Sequence, residues 1–232
     1  MKPDVFGKKG FTLIELMVAM AITGIVSAAI YTVYETQVRT QIAQEVALEL
    51  QQGMRGALLF MTREIRTAGA DPLGTAGAGI VTAGATEFRF TRDITGDEET
   101  GQYDGSINDD IEDVRYTINN NALQRETGGT GSLTLLDNVD ALDFVYLETI
   151  TDGEDALNEG LSNVAADDFD NIRYVQLTIV AHSGQSDRGL LRKYTDTNSY
   201  TNQQNEEIYK ADDTKRRLRM TTTIALRNMQ GE

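Results

Sequence analysis

From Leu16 to Tyr34 the chain runs for nineteen residues without a charge. That is long enough to cross the roughly 30 Å hydrocarbon core of a bilayer as a helix. Apolar residues then recur at spacings of three and four (Val38, Ile42, Val46, Leu50, Met54, Leu58, Met61, Ile65), which predicts continued helix with one buried face. Between them Gln41, Gln44, Glu45, Glu49, Gln51, Gln52, Arg55, Arg63 and Glu64 read as a solvated face. Ala68-Gly69-Ala70-Asp71-Pro72 supplies a glycine cap and a following proline, so the helix is expected to end at Ala68. Beyond Pro72 the period changes to two. Strands are predicted at 86–91, 114–118, 122–126, 132–136, 141–148, 172–181 and 217–227, with Asn119-Asn120-Asn121 as a hairpin turn. The expected class is α+β, a long N-terminal α-helix packed against a mostly antiparallel β-sheet head. Its parts are a membrane segment at 11–34, an amphipathic half at 35–70 and a β-rich head at 71–232.

One acid interrupts this scheme. Glu15 lies at the start of the apolar run, directly after Lys8-Lys9-Gly10-Phe11-Thr12-Leu13-Ile14. An unpaired charge within a membrane helix costs about 2.5–3.5 kcal/mol or more, so an intramembrane acid is a functional hypothesis by default. No Lys or Arg lies between Phe11 and Arg39 to neutralise it. A cleaved secretory signal would have a shorter apolar region followed by small residues, and a plain anchor leaves Glu15 unexplained. Reaching the headgroup layer from the helix end is the bland alternative for this side chain.

Met1–Gly10 and the following Phe11-Thr12-Leu13-Ile14-Glu15-Leu16 closely resemble a type IV prepilin leader and the first turns of its mature helix. The resemblance implies residues 1–10 as a leader, Gly10–Phe11 as the bond cut by a prepilin peptidase, and N-methylation of Phe11. It also implies that Glu15 pairs with the Phe11 amine of a neighbouring subunit during assembly. The stretches Leu50–Leu58 and Met61–Gly69, together with the ending Arg219–Asn228, are similar to PilW-type minor pilins and J-type pseudopilins of type II secretion. Residues 74–210 align with no family pattern. The implied partners are the prepilin peptidase, other major and minor pilin subunits, an inner-membrane assembly platform and the lipid bilayer. The implied location is the bacterial inner membrane, single-pass with a periplasmic head, and then a pilus or pseudopilus.

Composition narrows the chemistry. The chain has 36 Asp+Glu against 21 Lys+Arg. Without Lys2, Lys8, Lys9 and Asp4 of residues 1–10 the balance is 35 against 18. That field disfavours general nucleic-acid binding. Cysteine is absent, which removes disulfides, thiolate metal sites and thiol nucleophiles. Acids crowd two segments, Asp93–Asp113 and Asp152–Asp170. Asp104, Asp109, Asp110, Asp167, Asp168 and Asp170 are calcium-compatible candidates. Neither segment follows the D-x-[DN]-x-[DN]-G loop pattern, so solvated loops are the expectation and no cofactor is assigned, with calcium as the alternative. His182, the single histidine, sits at a predicted strand end, and nearby Ser183, Ser186 and Asp187 would project to different sides. The Gly74–Gly79 and Gly128–Ser132 stretches lack the remaining residues of nucleotide loops.

No enzyme is expected. The reading is a minor pilin-type structural subunit for pilus assembly or tip priming. Its alternatives are a type II secretion minor pseudopilin and, from another class, a membrane-anchored adhesin or receptor domain.

Overall fold

The computed structural model describes residues 10–96, 103–128, 131–149, 157, 163–184 and 195–229. The chain divides into two compact units after Glu45. One long helix, α1 (Leu13–Ile65), begins in the first unit and ends in the second.

In the second unit α1 presents Met54, Ala57, Met61 and Ile65 to the core, with Leu50 and Leu58 partly buried beside them, as the three-and-four spacing requires. The helix stops three residues before the expected Ala68. Its end tightens into i→i−3 bonds, from Thr67 N to Glu64 O (2.9 Å) and from Ala68 N to Ile65 O (3.0 Å). Gly69 then turns the chain at φ +71°, where a Cβ would lie 2.6 Å from Met229 Sδ.

Among the described residues ten strands follow: β1 (Ile80–Ala83), β2 (Glu87–Thr91), β3 (Asp113–Asn119), β4 (Ala122–Thr127), β5 (Gly131–Asp137), β6 (Val139–Leu147), β7 (Tyr174–His182), β8 (Ser199–Thr201), β9 (Glu207–Lys210) and β10 (Arg217–Ala225). They form a five-stranded sheet β1-β2-β3-β4-β5, a three-stranded sheet β10-β7-β6 and a β8-β9 hairpin. Every ladder is antiparallel. All seven expected strands are present, and β1, β8 and β9 are additional. The hairpin expected at the three asparagines is there. Asn119 pairs with Ala122, and Asn120 and Asn121 take φ of 49° and 59°, the doubly left-handed pattern of a type I′ turn.

Aromatic rings fill the core. Phe88 lies 5.3 Å from Phe90, 5.8 Å from Phe144 and 5.5 Å from Tyr146, centroid to centroid. Tyr146 resolves its own burial by donating its hydroxyl to Gly84 O at 2.9 Å. On β6, Leu142, Phe144 and Tyr146 join this core, and Asp143, Val145 and Leu147 are buried too.

Glu64 is not on a solvated face. Its carboxylate, only 9% exposed, accepts from Arg125 (2.6 and 2.7 Å), Arg92 (2.7 Å) and the Tyr116 hydroxyl. Arg92 also donates to Thr67 Oγ1 (2.8 Å) and Ile111 O (3.2 Å). Burial opposes ionisation of Glu64, but the bonds from Arg125 and Tyr116 and the charge of Arg92 outweigh it and hold the acid below its ordinary range. Burial, reinforced by Glu64, pushes the Tyr116 hydroxyl upward, so it remains a donor. A second network ties down the start of β10. Arg217, whose side chain is fully buried, donates to Asp140 (2.8 Å), Asp213 (2.6 and 2.7 Å), Asp196 (3.3 Å) and Tyr209 (3.0 Å).

Two outcomes follow from these buried charges. Glu64→Gln leaves two guanidinium groups without their carboxylate, and denaturant unfolding should show a loss of about 3–5 kcal/mol; an unchanged midpoint would contradict the cluster's role. Asp143, 1% exposed, behaves oppositely: burial pushes its acid up to about 6, Glu206 adds to this, and the neighbouring Asn202 amide offsets part of it. Neither of its oxygens has a partner with hydrogen-bond geometry. The folded state therefore holds this proton more tightly than the unfolded chain, and its stabilisation is lost as pH rises from about 4 to about 6. Asp143→Asn should remove about 1–3 kcal/mol of that decline in urea melts across this window; a parallel decline in the variant would contradict it.

Candidate functional site

The first unit contains the start of α1. Thr12 and Glu15 satisfy each other there. Glu15 Oε2 accepts from Thr12 N–H and from the Thr12 hydroxyl, both at 2.9 Å, and Glu15 N–H approaches Thr12 Oγ1 at 3.4 Å. This is a capping box, with Thr12 as N-cap and Glu15 three residues on, and it also sets a carboxylate at the positive end of the helix. Gly10 and Phe11 precede the cap and are exposed. A Cβ added at Gly10 would meet nothing within 4 Å, so the fold places no demand for glycine there.

The apolar run that follows keeps its polar groups to itself. Thr23 Oγ1 donates to Ala19 O (2.7 Å) and Thr32 Oγ1 to Ala29 O (2.8 Å), so neither hydroxyl needs water or a partner chain. Leu13, Ile14, Leu16, Met17, Val18, Met20, Ile22, Ile25, Val26 and Ile30 are all exposed, and the most apolar window of α1 has a mean hydropathy of 2.2 with none of it buried. By length and composition this helix can cross a membrane. Tyr31, near the end of the run, has its hydroxyl 3.3 Å from Glu35, and an Arg39–Glu35 pair at 3.5 Å follows the run, as aromatic and charged residues do at a membrane–water boundary.

The acidic candidates in the head are scattered. Asp104 Oδ1 accepts from Ser106 N (2.9 Å), Asp109 Oδ2 lies 2.5 Å from the Thr95 hydroxyl oxygen, and Asp110 lies against Gly128. Asp167, Asp168 and Asp170 lie in a 3₁₀ turn, Ala166–Asn171, far along the chain between β6 and β7. Among the described residues no three His, Cys, Asp or Glu side chains converge to hold a metal ion. Glu112, read only as one of many loop acids, is instead a turn organiser: it accepts from Ile94 N, Thr95 N and Thr95 Oγ1 at 3.0, 3.0 and 2.6 Å. Burial would raise its acid, but the Thr95 hydroxyl and the amides of Thr95, Ile94 and Asp109 hold it below the usual range. Asp97, Glu98, Glu99, Asp152, Glu154, Asp155 and Glu159 lie outside the described residues.

His182 does end β7 and is buried. Nδ1 lies 3.0 Å from Ser183 O, placed for Nδ1–H to donate to that carbonyl, and Nε2 lies 3.0 Å from Lys215 Nζ. Ser186 and Asp187 lie outside the described residues.

Comparison with known proteins bears on the helix and on the fold. Residues 6–31 match the family model of the prokaryotic N-terminal methylation motif. Among solved structures, the type IV-like pilin TTHA1219 from Thermus thermophilus is similar over 78% of this chain and 98% of that chain, at 19% identity and a TM-score of 0.51. No curated protein matches. The chain thus carries a prepilin-type methylation motif and has a pilin-like fold, a long apolar N-terminal helix with antiparallel β-sheets.

Proposed function

We propose that the chain is a structural subunit of a bacterial type IV filament, a minor pilin-type protein working in pilus assembly or tip priming. The observation that carries this reading is the coincidence of the methylation motif at residues 6–31 with a helix start whose apolar surface is wholly exposed. In this reading a prepilin peptidase cuts between Gly10 and Phe11 and the new amine of Phe11 is methylated. The helix anchors the chain in the inner membrane with the head in the periplasm until other pilin subunits and the assembly platform take it into the filament. The same features serve a type II secretion minor pseudopilin. The resemblance of Leu50–Leu58, Met61–Gly69 and Arg219–Asn228 to PilW-type and J-type subunits supports a minor rather than a major role.

Glu15 is the assembly residue in this account, and its geometry gives the role a physical form. Before assembly its carboxylate is held by Thr12, through one oxygen. Cleavage creates an ammonium at Phe11, and a neighbour's ammonium within an apolar bundle is worth far more to a carboxylate than a hydroxyl is. Neutral acceptor and charged acceptor can therefore be separated by mutation.

Intact-mass measurement of the membrane fraction should give a chain that begins at a methylated Phe11. Gly10→Leu should leave the uncleaved chain folded, because position 10 faces open space. A mature protein that still begins at Met1 would overturn the processing reading. In filament assembly, Glu15→Gln keeps the cap acceptor but loses the charge, and incorporation should fall at least tenfold. Thr12→Val loses the hydroxyl but keeps the charge, and incorporation should remain within about twofold. If Glu15→Gln assembles normally, Glu15 acts as a helix cap and not as a counter-charge.

A further inference from the structure

Asp93 presents a problem that the filament reading does not address. It follows β2 in the loop leading to β3, its side chain is 0% exposed, and neither carboxylate oxygen has a partner with hydrogen-bond geometry. Its backbone is fixed, with Asp93 N donating to Ala70 O at 2.6 Å and Arg92 N to Glu112 O at 3.0 Å. Its charged neighbours are all acids: Glu112, Asp104 and Asp71. Gly105 N–H approaches it and opposes part of this.

The neighbouring base cannot help. Arg92 is turned away into the Glu64 cluster. The other acids are differently placed. Asp71 accepts from Thr75 N (3.2 Å) and Gly77 N (2.9 Å), and Glu112 accepts from Ile94 and Thr95. Asp104 uses Oδ1 for Ser106 N, and its Oδ2 has no hydrogen bond among the described residues. A buried carboxylate whose oxygens have no partner with hydrogen-bond geometry, and which feels the charge of three other acids, is a potential well for a cation. Asp143, the other buried acid among the described residues whose oxygens lack a hydrogen-bond partner, differs in having an amide, Asn202, at its side and one acidic neighbour.

We propose that Asp93, with Asp104, binds a divalent cation of the calcium type between the turn after α1 and the β2–β3 loop. Calcium takes six to eight oxygens and accepts main-chain carbonyls and water among them. Two carboxylates in a turn-rich setting therefore suffice as the anionic part of the ligand set, and a third converging acid is not required. Magnesium demands a tighter octahedron and keeps its waters, so it should bind less well. The ion would lock the loop between β2 and β3 to the end of the helix, at the junction held by Gly69 N to Thr91 O (3.0 Å) and Asp93 N to Ala70 O.

The test uses the full chain in detergent micelles at pH 7.5, with calcium chloride as the probe. Equilibrium dialysis should find an ion whose binding is lost in Asp93→Asn and weakened at least tenfold in Asp104→Asn. The wild-type melting temperature should rise by several degrees in millimolar calcium and fall back with chelator. Asp93→Asn should melt above wild type in chelator, because the buried repulsion is gone, and should not respond to calcium. Equal calcium binding by wild type and Asp93→Asn would overturn the proposal. So would identical wild-type melts in calcium and in chelator, the behaviour of an acid that is simply kept protonated. Neither result depends on leader cleavage or on filament formation.

Discussion

Glu64 takes a carboxylate out of water at the last turn of the helix, a step that costs several kcal/mol unless charged donors meet it there. Those donors come from three places in the head: Arg92 just after β2, Tyr116 on β3 and Arg125 on β4. Tyr116 and Arg125 are cross-strand partners, so the cluster closes only when β3 and β4 are in register and the helix is at one height and rotation against them. An apolar stripe alone would tolerate a slide of one turn, since Met54, Leu58, Met61 and Ile65 are similar in size and shape. The carboxylate does not tolerate it. Apolar burial supplies the bulk of the stability, and the ionic cluster selects one arrangement of it. Arg217 serves the same purpose at the start of β10, where it gathers Asp140, Asp196 and Asp213 from separate segments.

The other end of the helix meets a different constraint. Within the apolar run Thr23 and Thr32 return their hydroxyls to the helix backbone, and the Thr12–Glu15 box caps the first turn. A segment so arranged leaves few polar groups unsatisfied in lipid or in an apolar bundle. Glu15 is the exception by degree, since its two bonds from Thr12 engage one oxygen and leave its charge facing only the helix dipole, with no cationic side chain. In the proposed reading, that residual charge suits the residue to a partner ammonium rather than to simple anchoring.

Much of this was legible in the sequence because periodicity reports burial. The three-and-four spacing gave the helix, and strict alternation at Val114–Ile118 and Ile172–Ala181 gave central strands. The short β1, β8 and β9 were not legible: Ile80–Ala83 is masked by glycines on both sides, and Ser199–Lys210 is polar because it covers a sheet instead of belonging to the core. Glu64 was misread since charge outweighed position in assigning faces, although residues 61, 64 and 65 share one side of a helix. A signal existed in Tyr116 and Arg125, polar groups at inward strand positions that require a buried counterpart. The Thr12-x-x-Glu15 box was also on view, overshadowed by the question of why an acid should enter a membrane. Asp93 could not be singled out among so many acids, because only the folded backbone decides which carboxylate loses its water.

The central claim, that the N-terminal helix is an assembly element released by processing, is tested most directly by locating the protein. Surface filaments sheared from cells with and without an active prepilin peptidase can be probed by immunogold labelling against the head. The account predicts label on filaments or pseudopili only when the peptidase is active, with the full-length chain retained in the inner membrane otherwise. Label confined to the membrane in both strains, with filaments present but unlabelled, would contradict it.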